Sequence, residues 1–319
     1  MCYNCCQSKG VFTGPLASNL PGRNFLLETN FITKQIELQE EAFCKKALLY
    51  QNPTVSPKAC ILYFHGGGLL YGSRKDLPEL HLESLTGAGY PIISFDYPLA
   101  PAAKLDRILA DICLSINSYI EKPDLFGLPK LPYLLFGRSA GAYLCLLAAA
   151  KGDLLSPPSA ILSYYGYGFL CDSWFKEKSP YYLTLPKVEE DLISSLYGTL
   201  HTEGDLNTHY SAYVYARQSG NWLSMMYEGR EKYFYLDYSL RTCEKLPAPL
   251  FCAHSTQDPD VPYAEFQELQ KRYHPTVFIA SGKVHDFDRD TDNPQTRELL
   301  EKTLSFLDTV FGLPFTVSL

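Results

Sequence analysis

Apolar positions along the chain fall into two kinds of run. Ala59-Cys60-Ile61-Leu62-Tyr63-Phe64, Tyr90 to Phe95, Leu134-Leu135-Phe136, Ala160 to Tyr164, Pro249 to His254 and Thr276 to Ala280 are short and almost continuously apolar. That is the pattern of strands buried on both faces of a sheet. Between them, apolar residues recur every three or four positions. Leu105, Ile108, Leu109, Ile112, Ile116 and Ile120 predict one amphipathic helix, and Leu300, Leu304, Leu307 and Phe311 predict another. Strand and helix alternating in this way predict an α/β fold with a mostly parallel central sheet, helices on both faces and right-handed crossovers.

Punctuation refines the elements. Phe31 to Leu38 and Phe43 to Tyr50, separated by Gln39-Glu40-Glu41, read as an antiparallel pair at a sheet edge. A helix is expected from Leu77 to about Leu85, capped by Asp76 and stopped by Gly87. Another is expected around Tyr263 to Tyr273, and Asn293-Pro294 mark the start of the last. Residues 1–28 show no periodicity and read as an N-terminal arm. From about Cys171 to Lys245 the alternation stops and tyrosine and tryptophan become frequent. This stretch, 171–245, is expected to be a helical cap inserted into a core formed by 29–170 and 246–319. An insertion after a strand's C-terminal end lies on the side where open α/β sheets place ligands. Most of its aromatics are expected to pack the insertion onto the core.

Composition narrows the function. The 319 residues are 46% hydrophobic and 20% charged with a net charge of −7, an ordinary globular balance. The negative charge argues against a nucleic-acid or anionic-membrane surface, since both need clustered Lys and Arg. No run approaches the roughly 18 apolar residues of a membrane span, and the N-terminus lacks the basic and apolar regions of a signal peptide. Ten cysteines are scattered along the chain, with Cys60, Cys113, Cys145 and Cys252 inside apolar runs. This usage predicts reduced, buried thiols in a cytoplasmic protein. Cys2, Cys5 and Cys6 have no second ligand pair nearby and read as a frayed terminus, not a metal site. Asp286, Asp288, Asp290 and Asp292 alternate like the start of a calcium loop, but the sixth position lacks glycine and Arg297 fills the twelfth.

The chemistry centres on Gly137-Arg138-Ser139-Ala140-Gly141, between the Leu134 to Phe136 strand and the Ala/Leu-rich run that follows. This is the G-x-S-x-G turn, in which small residues allow a sharp strand-to-helix reversal that presents the serine hydroxyl. A serine hydroxyl needs a base and an acid to orient that base. Asp258 follows one C-terminal strand and His285 lies in the loop after the next, giving the order Ser, Asp, His. His65-Gly66-Gly67-Gly68 can turn bare backbone N–H groups toward an oxyanion, with Ala140 N–H as a further donor. Asp260 is the rival acid, and His254, His274 and His81 are the rival bases; His254 ends a strand, where a structural role is favoured, and the other two fall in or beside helical runs.

HGGG after a central strand, DYPLAP after the next, GRSAG, DPDVP and GKVHDF together resemble the α/β-hydrolase superfamily, nearest its hormone-sensitive-lipase-like esterase branch. The likeness runs from about Ala59 to the C-terminus, excluding the insertion. It implies Ser139 as nucleophile, His285 as general base and then acid, and Asp258 as orienting carboxylate. It further implies Gly67, Gly68 and Ala140 as oxyanion donors, with His65 and Gly66 supporting the loop and no metal or organic cofactor. Arg138 stands where the branch usually carries an acidic residue, Ala142 replaces a second glycine, and DYPLAPA lacks the arginine and glutamate of the usual motif. Arg138 could bind an acidic substrate group; pairing with a nearby carboxylate is favoured. The expected activity is hydrolysis of small carboxylic esters through an acyl-serine. A peptidase or amidase is the alternative, and a non-catalytic binding protein a third reading. The expected partner is a small-molecule ester or amide, and a homodimer is compatible with the sequence. An ordinary histidine base would make activity decline below about pH 6.5.

Overall fold

The computed structural model describes residues 30–39 and 43–312. The expected N-terminal arm and the Cys2, Cys5, Cys6 trio lie outside the described residues. Eight strands form one sheet in the order β1-β2-β4-β3-β5-β6-β7-β8. They are β1 (Ile32–Gln39), β2 (Cys44–Gln51), β3 (Cys60–Phe64), β4 (Ile92–Phe95), β5 (Tyr133–Arg138), β6 (Ile161–Tyr164), β7 (Leu250–Ser255) and β8 (Thr276–Ala280). The predicted edge hairpin is present: β1 and β2 pair antiparallel, and β2 joins β4 antiparallel. All remaining pairs are parallel.

Every residue of β3 to β7 is buried, whereas β8, at the sheet edge, leaves Thr276 and Ile279 exposed. Continuous apolar runs therefore mark strands covered on both sides. Alternate residues feed opposite faces. Leu62, Phe64 and Leu135 point to one side, where they join α2 (Leu105–Glu121), α3 (Ala140–Lys151) and α7 (Tyr263–Tyr273). Ile61, Tyr63, Leu134 and Phe136 point to the other, against α1 (Glu79–Gly87) and α8 (Pro294–Val310).

Two local expectations need correction at α1. Pro78, not Asp76, occupies the cap position in extended backbone (φ −60°, ψ 147°) and moves the start to Glu79. Asp76 is drawn elsewhere, accepting a 2.6 Å hydrogen bond from the Tyr63 hydroxyl and pairing with Arg138 and Arg289. The helix also runs through Gly87, and the left-handed residue after it is Gly89 (φ 91°). At α8 the expected cap is present, with Asn293 accepting from the Gln295 amide.

Segment 171–245 carries α4 (Thr208–Ser219), α5 (Trp222–Met226), α6 (Glu231–Tyr238) and short 3-10 turns. Its entry is fixed by Glu265 on α7. That buried carboxylate accepts from the amides of Gly168, Phe169 and Cys171 and from the Trp174 indole. Four charge-assisted hydrogen bonds offset the cost of burying it. Trp174, Trp222 and Tyr213 bury their rings, while Tyr197 and Tyr233 stay exposed. Cys60, Cys113, Cys145 and Cys252 are buried free thiols, and burial pushes the pKa of each upward.

Candidate active site

Ser139 sits between the last residue of β5 and the first of α3, at φ 53° and ψ −119°. A non-glycine residue held there stores strain that its surroundings must enforce. The surroundings are tight. A Cβ on Gly137 would come within 2.2 Å of the Gly141 carbonyl carbon, and one on Gly141 within 2.0 Å of the Phe64 carbonyl oxygen. Glycine at these two positions lets the turn close against β3.

His285, in the loop after β8, places Nε2 2.8 Å from Ser139 Oγ and Nδ1 2.6 Å from Asp258 Oδ2. The carboxylate partner assigns the ring hydrogen to Nδ1, leaving Nε2 to accept from the serine. Asp258, in the loop after β7, accepts through Oδ1 from the amides of Asp260 and Val261 at 2.8 and 3.0 Å. Burial alone would lower the pKa of His285, but the Asp258 charge and hydrogen bond, helped by Asp260 and Asp286, raise it to about 9. Burial alone would raise that of Asp258, and the charge and hydrogen bond of His285 hold it below the usual carboxylate value. The acid decline anticipated near pH 6.5 therefore moves upward, because the carboxylates around the imidazole favour its protonated form.

The glycine loop is ordered through its carbonyls. A trans peptide is planar, so fixing one residue's C=O fixes the following N–H in the opposite direction. Gly66 O accepts from Tyr97 Oη at 3.2 Å and from His65 Nδ1 at 2.9 Å, which sets the Gly67 N–H. Gly67 O accepts from the Leu70 and Tyr71 amides, both at 3.0 Å, which sets the Gly68 N–H. Gly67 and Gly68 have φ of 96° and 58°, and a Cβ on Gly67 would collide with the Tyr71 carbonyl oxygen at 2.0 Å. Ala140 is the first residue of α3, so its N–H has no intrahelical acceptor. His65 is buried, stacks on Tyr97 with centroids 4.2 Å apart, and has its pKa lowered chiefly by burial. It is a neutral strut for the loop.

A cavity of about 440 Å³ opens over Ser139, His285 and Gly66 to Gly68. Tyr71, Leu206 and Tyr213 line it, as do Lys75, Asp286 and Arg289.

The rival residues make other contacts, although Asp260 lines the same cavity and His254 Nε2 lies 3.4 Å from Asp258 Oδ2. Asp260 is held by the hydroxyls of Tyr182 and Tyr213 at 3.0 and 2.9 Å, with Arg217 Nε 3.5 Å away. His254 Nε2 donates to the Val261 carbonyl at 3.1 Å, and burial lowers its pKa. His274 ends α7 in left-handed backbone. His81 is buried 2.9 Å from Asp288. No group of three or more metal-ligating side chains occurs among the described residues. Of the aspartates after His285, Asp286 pairs with Arg289 and Asp290 accepts from the Asp292 amide, whereas Asp288 is buried against Arg138 and His81.

Arg138 is buried and bound to Asp288 at 2.9 Å, the carboxylate pairing favoured from sequence. Sequence reasoning missed its companion, Tyr165. This residue follows β6 at φ 40°, donates its hydroxyl to Asp288 at 2.8 Å, and packs against the His285 ring at 4.7 Å. It also missed Trp222, whose indole N–H donates to the Gly68 carbonyl at 2.8 Å. Among two dozen tyrosines and two tryptophans, nothing in a single sequence distinguishes these two.

The BD-FAE family model matches residues 48–273. The chain belongs to the BD-FAE family. This BD-FAE chain is 26% identical to a crystal structure of an α/β hydrolase superfamily protein from Enterococcus faecalis. The match has a TM-score of 0.72 and covers 87% of this chain and 99% of that one. It is 35% identical to human hormone-sensitive lipase over 124 residues, 37% of this chain and 11% of the lipase. It is 26% identical to the ethyl acetate hydrolase of Pseudomonas putida over 163 residues, 43% of this chain and 50% of the hydrolase. The matched stretch is thus half or less of each of these curated relatives. The fold is that of the α/β hydrolases, in the hormone-sensitive-lipase-like branch anticipated from the motifs. No described helix is long and apolar enough to cross a membrane.

Proposed function

We propose that this BD-FAE protein hydrolyses small carboxylic esters through an acyl-serine intermediate. The observation that carries the reading is the continuous chain of contacts from Ser139 Oγ through His285 to Asp258, at 2.8 and 2.6 Å. Ser139 Oγ attacks the ester carbonyl carbon while His285 Nε2 takes its proton, and Asp258 stabilises the imidazolium. The carbonyl oxygen becomes an oxyanion facing the N–H groups of Gly67, Gly68 and Ala140. Collapse breaks the C–O bond to the alcohol, which leaves with the proton from His285. Water then attacks the acyl-serine with His285 as base, releasing the acid and restoring Ser139. The cavity of about 440 Å³ suits a small substrate. In this reading residues 171–245 cover it and supply Leu206 and Tyr213 to its lining. The ethyl acetate hydrolase relative supports ester chemistry on a small substrate.

Purified protein is expected to cleave p-nitrophenyl acetate and to take up a fluorophosphonate probe on Ser139, located by peptide mass spectrometry. Ser139→Ala is expected to abolish both. Equal turnover by the variant would overturn the assignment.

A further inference from the structure

The glycine loop is held from two sides. His65 and Tyr97 fix its inner face, as described above. The outer face is held by residues 201–222, and here the contacts converge on Gly68. Its carbonyl accepts the Trp222 indole N–H at 2.8 Å. Its α-carbon is covered by Tyr213, so closely that a Cβ there would lie 2.1 Å from the ring. Two reciprocal hydrogen bonds between Gly72 and Gly204, at 3.0 and 2.8 Å, tie the loop's exit to the same segment. Three consecutive glycines have more conformational freedom than any other tripeptide, so a rigid donor array requires outside restraint. Trp222 is buried and makes a directional bond to the one glycine carbonyl that the core leaves unpinned.

The same segment reaches the acid loop. Tyr213 Oη donates to Asp260 at 2.9 Å, and the Asp260 amide in turn donates to Asp258 Oδ1 at 2.8 Å. Arg217, one turn along α4, donates to the Asp260 carbonyl at 3.1 Å and lies over the Trp174 and Trp222 rings. Tyr213, Arg217 and Trp222 thus join the donor loop to the loop carrying Asp258.

We infer that Trp222 and Tyr213 are positioning residues, through which segment 171–245 holds the oxyanion donors and the acid loop in register with Ser139. The inference rests on the hydrolase reading and deepens it: the segment is part of the machinery as well as a cover. With the indole N–H removed, the Gly68–Leu69 peptide loses its anchor, the glycine loop can shift as a unit against residues 201–222, and the Gly67 and Gly68 N–H groups no longer meet the oxyanion where it forms. Displacements of about 1 Å cost up to about 100-fold in rate. The ground-state ester makes little use of these donors, so the loss falls on kcat and not on KM.

The test uses the full chain with p-nitrophenyl acetate. Trp222→Phe is expected to lower kcat by about 10- to 100-fold with KM within about twofold of wild type, while its circular dichroism melting curve stays cooperative. Tyr213→Phe deletes a single hydroxyl and is the variant to rely on should Trp222→Phe fold poorly; its kcat is expected to fall by about tenfold or more. A folded Tyr213→Phe, or a folded Trp222→Phe, with wild-type kcat overturns this inference and leaves the hydrolase reading standing. A wild-type protein that neither cleaves the ester nor takes up the fluorophosphonate overturns both.

Discussion

Arg138 Nη2 donates to Asp288 Oδ1 at 2.9 Å, which engages the buried guanidinium of the residue before Ser139 with a carboxylate of the protein itself. The same Asp288 accepts from the Tyr165 hydroxyl and faces His81. Tyr165 in turn meets the His285 ring edge-on and lies under the Arg138 guanidinium at 5.7 Å. One buried carboxylate therefore links Arg138, the residue before Ser139, to the packing of His285. Burial is the largest single influence and opposes its ionisation, but the charges and hydrogen bonds of Arg138 and His81 together outweigh it and hold Asp288 well below the usual carboxylate range.

Removing the cation while leaving the carboxylate should be costly. Arg138→Met is expected to lose about 3–5 kcal/mol of stability, because it strands Asp288 without a full counter-charge. Urea unfolding at pH 7 checks this, and a loss below about 1 kcal/mol, the scale of an exposed pair, would show that Asp288 finds compensation elsewhere. Because the native pKa of Asp288 is depressed, its contribution is present above the unfolded value of about 3.9 and is lost as pH falls below it.

The pH dependence follows from the carboxylates around His285. The base must be neutral to act, and a pKa of about 9 leaves it mostly protonated at pH 7. The logarithm of kcat/KM is expected to rise with pH from 6.5 toward a midpoint near 9. A midpoint at or below 6.5 would contradict the raised value. Asp286→Asn removes one of the charges responsible and should move the midpoint down. Stability carries the opposite sign. The raised pKa contributes stability fully present below about pH 6.5, the unfolded value, and lost as pH rises through about 9.

Gly141 is the position where the strand-to-helix turn tolerates least. A Cβ would approach two backbone oxygens, Phe64 O at 2.0 Å and His65 O at 2.5 Å, and neither can move without shifting β3 and the glycine loop together. Gly141→Ala is expected to cost about 4 kcal/mol or more, in the range reserved for core disruption, or to prevent soluble expression. By contrast Gly87 has open space around it, and Gly87→Ala should be neutral or slightly stabilising. Parallel urea titrations compare the two directly.

These contrasts show what could be read from the chain. Strands such as Cys60–Phe64 and helices such as Leu105–Glu121 were legible because burial writes itself into apolar periodicity, position by position. Ser139, Asp258 and His285 were legible because each follows a strand, at the end of the sheet where α/β folds assemble ligand sites. Asp76 was misread because the local cue, an acid before a helix, competes with a long-range one: buried Tyr63 and Arg138 and the exposed Arg289 converge on it. Tyr165, Tyr213 and Trp222 left no local trace, since their roles depend on partners 47 to 154 residues distant.

Asp258 and Asp260 are two residues apart, and substitution separates their roles. Asp258 is the carboxylate bonded to His285 Nδ1, and its second oxygen is satisfied by two amides, so the group is locked in place. Asp258→Asn would present an amide N–H or a carbonyl to the ring and favour the wrong tautomer, a change that costs about 10⁴ in kcat in the serine-protease triad. It would also remove the largest charge raising the His285 pKa, so the residual activity should show its midpoint well below 9. Asp260 faces Tyr182, Tyr213 and Arg217 and acts on His285 across space. Asp260→Asn keeps an acceptor for the tyrosines, so its kcat should fall by about tenfold at most, the scale of one weakened hydrogen bond. Its pH midpoint should drop by less than that of Asp258→Asn. Measured pH profiles of both variants decide the matter: a larger loss and a larger shift in Asp260→Asn would reverse the assignment of the acid.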